Sequence, residues 1–487
     1  MARNFRVLMV GTEVAPLVSS GGLADVMAAL PKALRKQGMD VRIIMPAFRQ
    51  IPHDQRGPYV GAVSVPIRDA RQTGAIRETI CPDSGVPLYL VEHEAYYGRE
   101  ALYGSSAHEY YDNPERFAFF CHAVLQGMPQ VGWKPDIIQC HDWHTAIIPI
   151  LLKTRLREDP YWRDVRSLFT IHNIAFQGRY SVDRFDMTGL DRALFENGTL
   201  EYEGDFNLMK GAIQFADALN TVSPRYALEI QTLEYGCGLH GLLAERSKDL
   251  YGILNGVDYT VWNPETDPHI PARYTADDPA GKAACKQALQ QAMRLPEKAD
   301  VPLVGVVSRL YWQKGIDLML DALPNLVQMG FQLAILGSGD HALERRLEDA
   351  IPRFPGQVGV YLGYNAGLSH LVFAGSDFFL MPSRYEPCGL TQMYALAYGS
   401  IPIVRRTGGL ADTVAHATER SIRSKKATGI SFVPKTPGAI TRAAARARAL
   451  YDDPATRAAV ARTGMSQRFS WENSAREYFR LYERLHA

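Results

Sequence analysis

The feature that most constrains this fold is an alternation of short apolar runs and helical stretches that begins, breaks and begins again along 487 residues. Arg6 to Val10 is a strand-like run, and Gly21-Gly22 punctuates the segment after it. Leu23, Val26, Met27, Leu30 and Leu34 then recur at helical spacing before Gly38. Val41 to Met45 completes a strand–helix–strand unit. Further on, Ile137-Ile138 runs into His141-Asp-Trp-His144, Ser167 to Ile171 into His172-Asn173, and Ala218 to Val222 into Ser223-Pro224. Each strand ends in polar or turn residues, at the carboxyl edge where open α/β sheets bind ligands.

A Pro/Asp/Asn-rich stretch from Leu254 to about Val301, containing one helix from about Ala280 to Met293, reads as a domain junction. The rhythm then restarts with a strand at Val304 to Val307, a helix at Ile316 to Met329, and a strand at Gln332 to Leu336 leading to Gly337-Ser-Gly339-Asp340. Phe378 to Met381 leads to Ser383 and Glu386-Pro387-Cys388-Gly389, followed by a helix near Leu390 to Tyr398 and a strand at Ile401 to Val404. Trp471 to His486 reads as one amphipathic helix. The pattern predicts two doubly wound α/β domains, which the chain length also favours.

Hydrophobic residues are 46% and charged residues 22%, a globular balance. The net charge of +1 gives no reason for nucleic acid or an anionic membrane to be a partner. Cysteines 81, 121, 140, 237, 285 and 388 form no C-x-x-C pair, so neither a zinc site nor a redox motif is indicated. A start without an apolar signal region, and no apolar stretch near the ~20 residues of a membrane helix, lead to a cytoplasmic expectation. The Asn197-Gly-Thr sequon then carries no glycan. His141 and His144 are a weak metal pair, lacking a clear third ligand. There is no Walker A loop or D-x-D pair. The expectation is therefore no cofactor and no metal, with any diphosphate leaving group neutralised by cations and helix ends. Arg309 and Lys314, on the loop after a strand, combine a planar fork with a point charge.

One pentapeptide occurs twice: Gly21-Gly22-Leu23-Ala24-Asp25 and Gly408-Gly409-Leu410-Ala411-Asp412, each opening a helix after a strand. Turn chemistry explains either alone about as well as ligand binding does. The pair, one per domain, favours backbone N–H groups offered to anions or sugar hydroxyls.

Together with these, Ile171-His-Asn-Ile-Ala-Phe-Gln-Gly178, Met209-Lys-Gly-Ala212, Asn255-Gly-Val-Asp258, Leu336-Gly-Ser-Gly-Asp340, Pro382-Ser-Arg-Tyr-Glu-Pro-Cys-Gly-Leu390 and Arg405-Arg-Thr-Gly-Gly-Leu-Ala-Asp-Thr-Val414 form an ordered set nearly end to end. In this set the chain resembles the bacterial glycogen synthases and plant starch synthases, retaining glucosyltransferases of the GT-B fold. The resemblance implies two Rossmann-like domains (1–253 and 254–466) facing a deep interdomain cleft, with residues 467–487 returning to the first. It implies transfer of glucose from ADP-glucose, or another nucleotide-glucose, to glycogen or a malto-oligosaccharide. His172 matches the histidine beside the anomeric carbon, Arg309 and Lys314 the holders of the diphosphate, and Glu386 the acid contacting the transferred glucose. Ser19, Gly21, Gly22, Cys388, Gly389, Leu390 and Thr391 fall on nucleotide-sugar positions, and Tyr364 on an aromatic that stacks on the base. Asp142, His144 and Tyr97 fall on the acceptor side, although packing explains the tyrosines at 96, 97, 103, 110 and 111 equally well. Cys388 is either functional or merely buried. The family has lysine where this chain has Ser19, and an acidic residue where it has His240. Two alternatives follow: a glucan-binding paralogue with weakened catalysis, or a related transferase with altered donor or acceptor.

Overall fold

The computed structural model describes residues 4–104 and 108–486. The chain divides into two compact units, one of Met1–Val222, Ala227–Ile253 and Trp471–Ala487, the other of Ser223–Tyr226 and Leu254–Ser470. Each is described by itself.

The first unit is built on a nine-stranded sheet in the order Leu250–Gly252, Ala218–Thr221, Arg166–Ile171, Ile137–His141, Arg6–Val10, Asp40–Pro46, Pro87–Glu92, Ala70–Ile80, Tyr59–Ile67. The first seven run parallel, and the last two add an antiparallel hairpin at the edge. Parallel strands need both faces covered, which is why Ile137–His141 is buried along its whole length. Strand order reverses at Arg6–Val10, so the loop carrying Ser19 to Gly22 leaves the sheet at its switch point. That loop feeds helix Gly22–Lys36, whose Leu23, Val26, Met27, Leu30 and Leu34 are buried as the spacing predicts.

Helix Trp471–Leu485 belongs to this unit and packs on helix Gly22–Lys36. It buries Trp471, Ala475, Tyr478, Leu481 and Tyr482. A chain of polar groups, with both ends on this helix, locks it to the sheet. Tyr482 Oη donates to Gln139 Oε1 (2.6 Å), Gln139 Nε2 to Thr170 Oγ1 (2.9 Å), and Thr170 Oγ1 to Asn220 Oδ1 (2.7 Å). Asn220 Nδ2 donates to Tyr478 Oη at 2.9 Å, which returns the chain to the helix. All five are fully buried. Such groups are tolerated in a core because they satisfy one another.

The second unit has six parallel strands in the order Val358–Leu362, Gln332–Gly337, Leu303–Val307, Phe378–Met381, Ile401–Arg405, Ile430–Phe432. Val304, Val306, Leu333 and Ile335 pack with helices Ile316–Gln328, His341–Arg353 and Pro437–Tyr451. Leu303, Ala334, Leu336, Phe379 and Met381 pack with helices Gly281–Ala292, Ala366–Gly375 and Thr391–Ala397 on the other face. This is the period-2 alternation of a sheet covered on both sides. Its order reverses between Leu303–Val307 and Phe378–Met381, the strands that lead to Arg309 and Glu386. Ser223–Tyr226 sits with this unit because Ser223 Oγ donates to Pro387 O (2.6 Å) and Arg225 N to Asp412 Oδ2 (2.8 Å). Among the described residues no helix is long and apolar enough to cross a membrane.

Tyr482→Phe strands Gln139 Oε1 inside the core. We expect this to cost about 1–3 kcal/mol in denaturant unfolding of the first unit; a loss below about 0.5 kcal/mol would show that the polar chain does not hold the helix.

Candidate active site

In the first unit, three loops from the carboxyl edge carry the site residues. His141 ends its strand fully buried, and its Nδ1 lies 2.8 Å from His172 Nε2. Asp142 follows at φ 58°, a conformation most side chains avoid. From there Asp142 Oδ1 accepts from the backbone N of His172 at 2.8 Å. His144 is packed among Trp143 (4.1 Å between ring centroids), Phe117 (4.6 Å) and Tyr103 (4.8 Å). The two histidines of the possible metal pair thus have different partners. Among the described residues no three His, Cys, Asp or Glu side chains converge to hold a metal ion.

His172, His144 and Asp142 keep some solvent contact but are closely surrounded by protein. Burial lowers the His172 pKa to about 3, and burial with the nearby Arg116 charge lowers that of His144 to about 3. Both rings are therefore neutral at pH 7. Burial raises the Asp142 carboxyl to about 7, against backbone N–H groups of His172 and Asn173 that favour its ionised form.

Glu13, 3% exposed, ties the Ser19–Gly22 loop down. It accepts from Ser20 N, from Ser20 Oγ (2.7 Å) and from Tyr103 Oη (2.7 Å). Its charge also reaches Asp25. That residue presents surface to solvent yet is densely surrounded, and burial first, then Glu13, raises its pKa to about 6. Ser19 itself is exposed. The sequence pattern gives no reason to single out Glu13, and it offers Tyr103 only within a tyrosine-rich stretch; their meeting spans 90 positions.

In the second unit the two switch-point loops meet through charge. Lys314 Nζ lies 2.9 Å from Glu386 Oε1 and 2.7 Å from Oε2, and Ser383 Oγ donates to Oε2 at 2.9 Å. The Glu386 side chain is only 6% exposed, and both its oxygens meet the Lys314 ammonium. Arg384 grips Asp317 with two 2.6 Å bonds, and Arg405 Nε holds Ser383 O at 2.7 Å. Arg309 is exposed on the same loop as Lys314. That loop rests on the glycines of the 336–340 motif, where a Cβ on Gly337 would fall 2.0 Å from Ser308 O.

Tyr364 is 88% exposed, with its ring open to a ligand. Gly389 takes φ +72° and Leu390 precedes helix Thr391–Ala397; the Thr391 hydroxyl donates to Met381 Sδ at 3.3 Å. Cys388 is buried, and burial pushes its thiol up to about 12, so the thiol stays protonated near neutral pH.

Two readings need correction. Tyr97 is fully buried: its hydroxyl donates to Arg116 O (2.9 Å) and its ring packs on Phe48, so it cannot stack on an acceptor sugar. The twin pentapeptides also differ in kind. A Cβ on Gly408 would lie 1.8 Å from Glu386 O, and one on Gly409 2.0 Å from Cys388 O. Those glycines exist so that the backbone can press against the Glu386 loop. At Gly21 and Gly22 a Cβ would meet nothing within 4 Å, and no side chain caps the 15-residue helix they open.

A family described as starch synthase catalytic domain matches residues 6–245, and glycosyl transferases group 1 matches residues 290–466. The fold and these matches define a hexosyltransferase of the GT-B class, made of two Rossmann-like units. The glycogen synthase of Geotalea uraniireducens (strain Rf4) is 45% identical over 479 residues, covering 98% of each chain. Glycogen synthase 2 of Geobacter sulfurreducens is likewise 45% identical, with the same coverage. The solved catalytic domain of starch synthase IV from Arabidopsis thaliana, bound to ADP and acarbose, superposes with a TM-score of 0.89 at 35% identity. It covers 99% of this chain and 100% of that one. The chain belongs to the glycogen and starch synthase family.

Gly409→Ala should destabilise the second unit by about 1–3 kcal/mol through overpacking. Gly22→Ala should unfold within about 0.5 kcal/mol of the parent; equal losses in thermal unfolding would refute the distinction. Proton linkage supplies a second check. With folded values near 3, His172 and His144 bind protons mainly in the unfolded chain between pH 3 and 6.5. They therefore remove stability as pH falls through that range. Asp142 holds its proton in the folded state between pH 4 and 7 and acts in the opposite sense, removing stability as pH rises. In denaturant titrations, His172→Gln should flatten the acid limb by about one proton, and Asp142→Asn should steepen it.

Proposed function

We propose that this transferase takes glucose from ADP-glucose and adds it to the non-reducing end of an α-1,4-glucan with retention of configuration, releasing ADP. The observation that carries this reading is the Lys314–Glu386 pair at the second unit's switch point. Lys314 has three N–H donors, of which two go to Glu386. The third, with the exposed Arg309 guanidinium, is available to a diphosphate. Glu386 keeps acceptor capacity for glucose hydroxyls, Tyr364 offers its ring to the base, and the Gly389-Leu390-Thr391 turn offers backbone N–H groups. The ADP in the Arabidopsis structure and the glycogen synthase relatives support an adenine nucleotide and a glucan as partners.

A histidine with a pKa near 3 is a poor base. His172 therefore holds the sugar by neutral hydrogen bonding, and the departing phosphate receives the acceptor proton in a same-face substitution. Asp142 and His144 line the acceptor side. Side-chain cations neutralise the leaving group, so the reaction is metal-independent. The six unpaired thiols suit a reducing cytoplasm.

A second reading, a glucan-binding protein with weakened catalysis, is favoured by Ser19 alone. There a hydroxyl stands in place of the family's lysine, worth about 1.5–3 kcal/mol if it was a charge-assisted contact.

Initial rates with ADP-glucose and UDP-glucose on glycogen, for the wild type, Ser19→Lys and Glu386→Gln, separate these. We expect ADP release by the wild type, unaffected by EDTA, and a loss of about a hundredfold or more in Glu386→Gln. Turnover only in Ser19→Lys would establish the second reading. No turnover with either donor in both the wild type and Ser19→Lys would overturn the first.

A further inference from the structure

His172 is held by two consecutive residues at the end of one strand. Asp142 takes its backbone N–H, and His141 takes its ring, with 2.8 Å between His141 Nδ1 and His172 Nε2 and the ring centroids 5.1 Å apart. The inference below rests on the proposed role of His172 at the donor sugar. Both imidazoles are neutral, as burial lowers each pKa and the His172 ring adds to the lowering at His141. One ring must donate across the 2.8 Å contact and the other accept.

The far side of His141 decides which. Its Nε2 is buried and has no hydrogen-bond partner among the described residues. Were His172 the donor, His141 would accept at Nδ1 and keep its own proton on Nε2, as an orphaned N–H in the core. With His141 as donor from Nδ1, only a bare lone pair is left there. A stranded buried donor is the rarer and costlier defect. His172 then accepts at Nε2 and carries its proton on Nδ1, because the hydrogen bond at one ring nitrogen sets the tautomer of the other.

We propose that His141 is a positioning residue that locks His172 as its Nδ1–H tautomer, making His172 a hydrogen-bond donor toward its ligand. The strained backbone of Asp142 serves the same end: φ 58° turns its carboxylate back to the His172 N–H while leaving His141 edge-on to the His172 ring.

The tautomer is read without any substrate, by long-range ¹H–¹⁵N spectra of the ¹⁵N-histidine-labelled protein at pH 7.5, with His172 assigned from the His172→Gln spectrum. The Nδ1–H pattern is expected for His172 in the wild type and in His141→Asn, whose amide N–H occupies the donor position. A shift toward the Nε2–H pattern is expected in His141→Phe. In glucosyl-transfer assays, kcat should fall at least tenfold in His141→Phe with little change in donor KM, and recover most of that loss in His141→Asn. An Nε2–H tautomer in the wild type overturns the proposal, as does a folded His141→Phe with wild-type kcat. If His141→Phe does not fold, the wild-type tautomer decides. If the chain transfers no glucose, the spectra still answer, so failure of the functional reading is distinguishable from failure of this one.

Discussion

A parallel sheet delivers the carboxyl end of every strand to one edge, and chemistry in both units hangs on that edge. Where strand order reverses, two neighbouring loops part to opposite faces and leave room between them. In the first unit the reversal falls at Arg6–Val10 and frees the Ser19–Gly22 loop. In the second it falls between the strands leading to Arg309 and to Glu386. Most other motif residues support these loops rather than act themselves. Glu13 clamps Ser20, Gly337 lets the Arg309 loop settle, and Gly408 and Gly409 press against the carbonyls of Glu386 and Cys388.

The two edges differ in charge. In the first unit, burial holds His141, His144 and His172 neutral and drives Asp142 and Asp25 toward protonation, with Glu13 adding to both shifts. In the second, a carboxylate at low exposure has an ammonium clasped to both its oxygens. Neutral hydrogen-bonding groups suit sugar hydroxyls, whereas paired and exposed cations suit a diphosphate. The loop next to the exposed Ser19 follows the first pattern, since Glu13 is met there by the amide and hydroxyl of Ser20 and the hydroxyl of Tyr103.

Much of this was legible in the residues. Strands at Phe378–Met381 and Ile401–Arg405 and helices at Gly22–Lys36 and Ile316–Gln328 follow from apolar spacing and glycine stops. The edge hairpin Tyr59–Ile67 and Ala70–Ile80 did not announce itself, since its strands are half-exposed and interrupted by Gly61, Pro66 and Gly74. Tyr97 shows the limit at the site. A tyrosine on a sugar and a tyrosine in a core look identical in sequence, because burial depends on what packs above the ring.

The sequence by itself determined which elements form and which residues stand at their carboxyl ends, because hydrophobic periodicity and turn chemistry act over a few neighbouring positions. Only the tertiary structure decided what those residues are to one another. Lys314 and Glu386 are 72 positions apart, and Tyr482 and Gln139 are 343. The pairing of His141 with His172 depends on adjacent strands in a sheet whose register no local pattern specifies. The two identical pentapeptides make the distinction plainest. Gly21-Gly22 borders open space while Gly408-Gly409 is wedged against backbone. The physical reason is that the space around an atom is set by the whole fold, not by its neighbours in the chain.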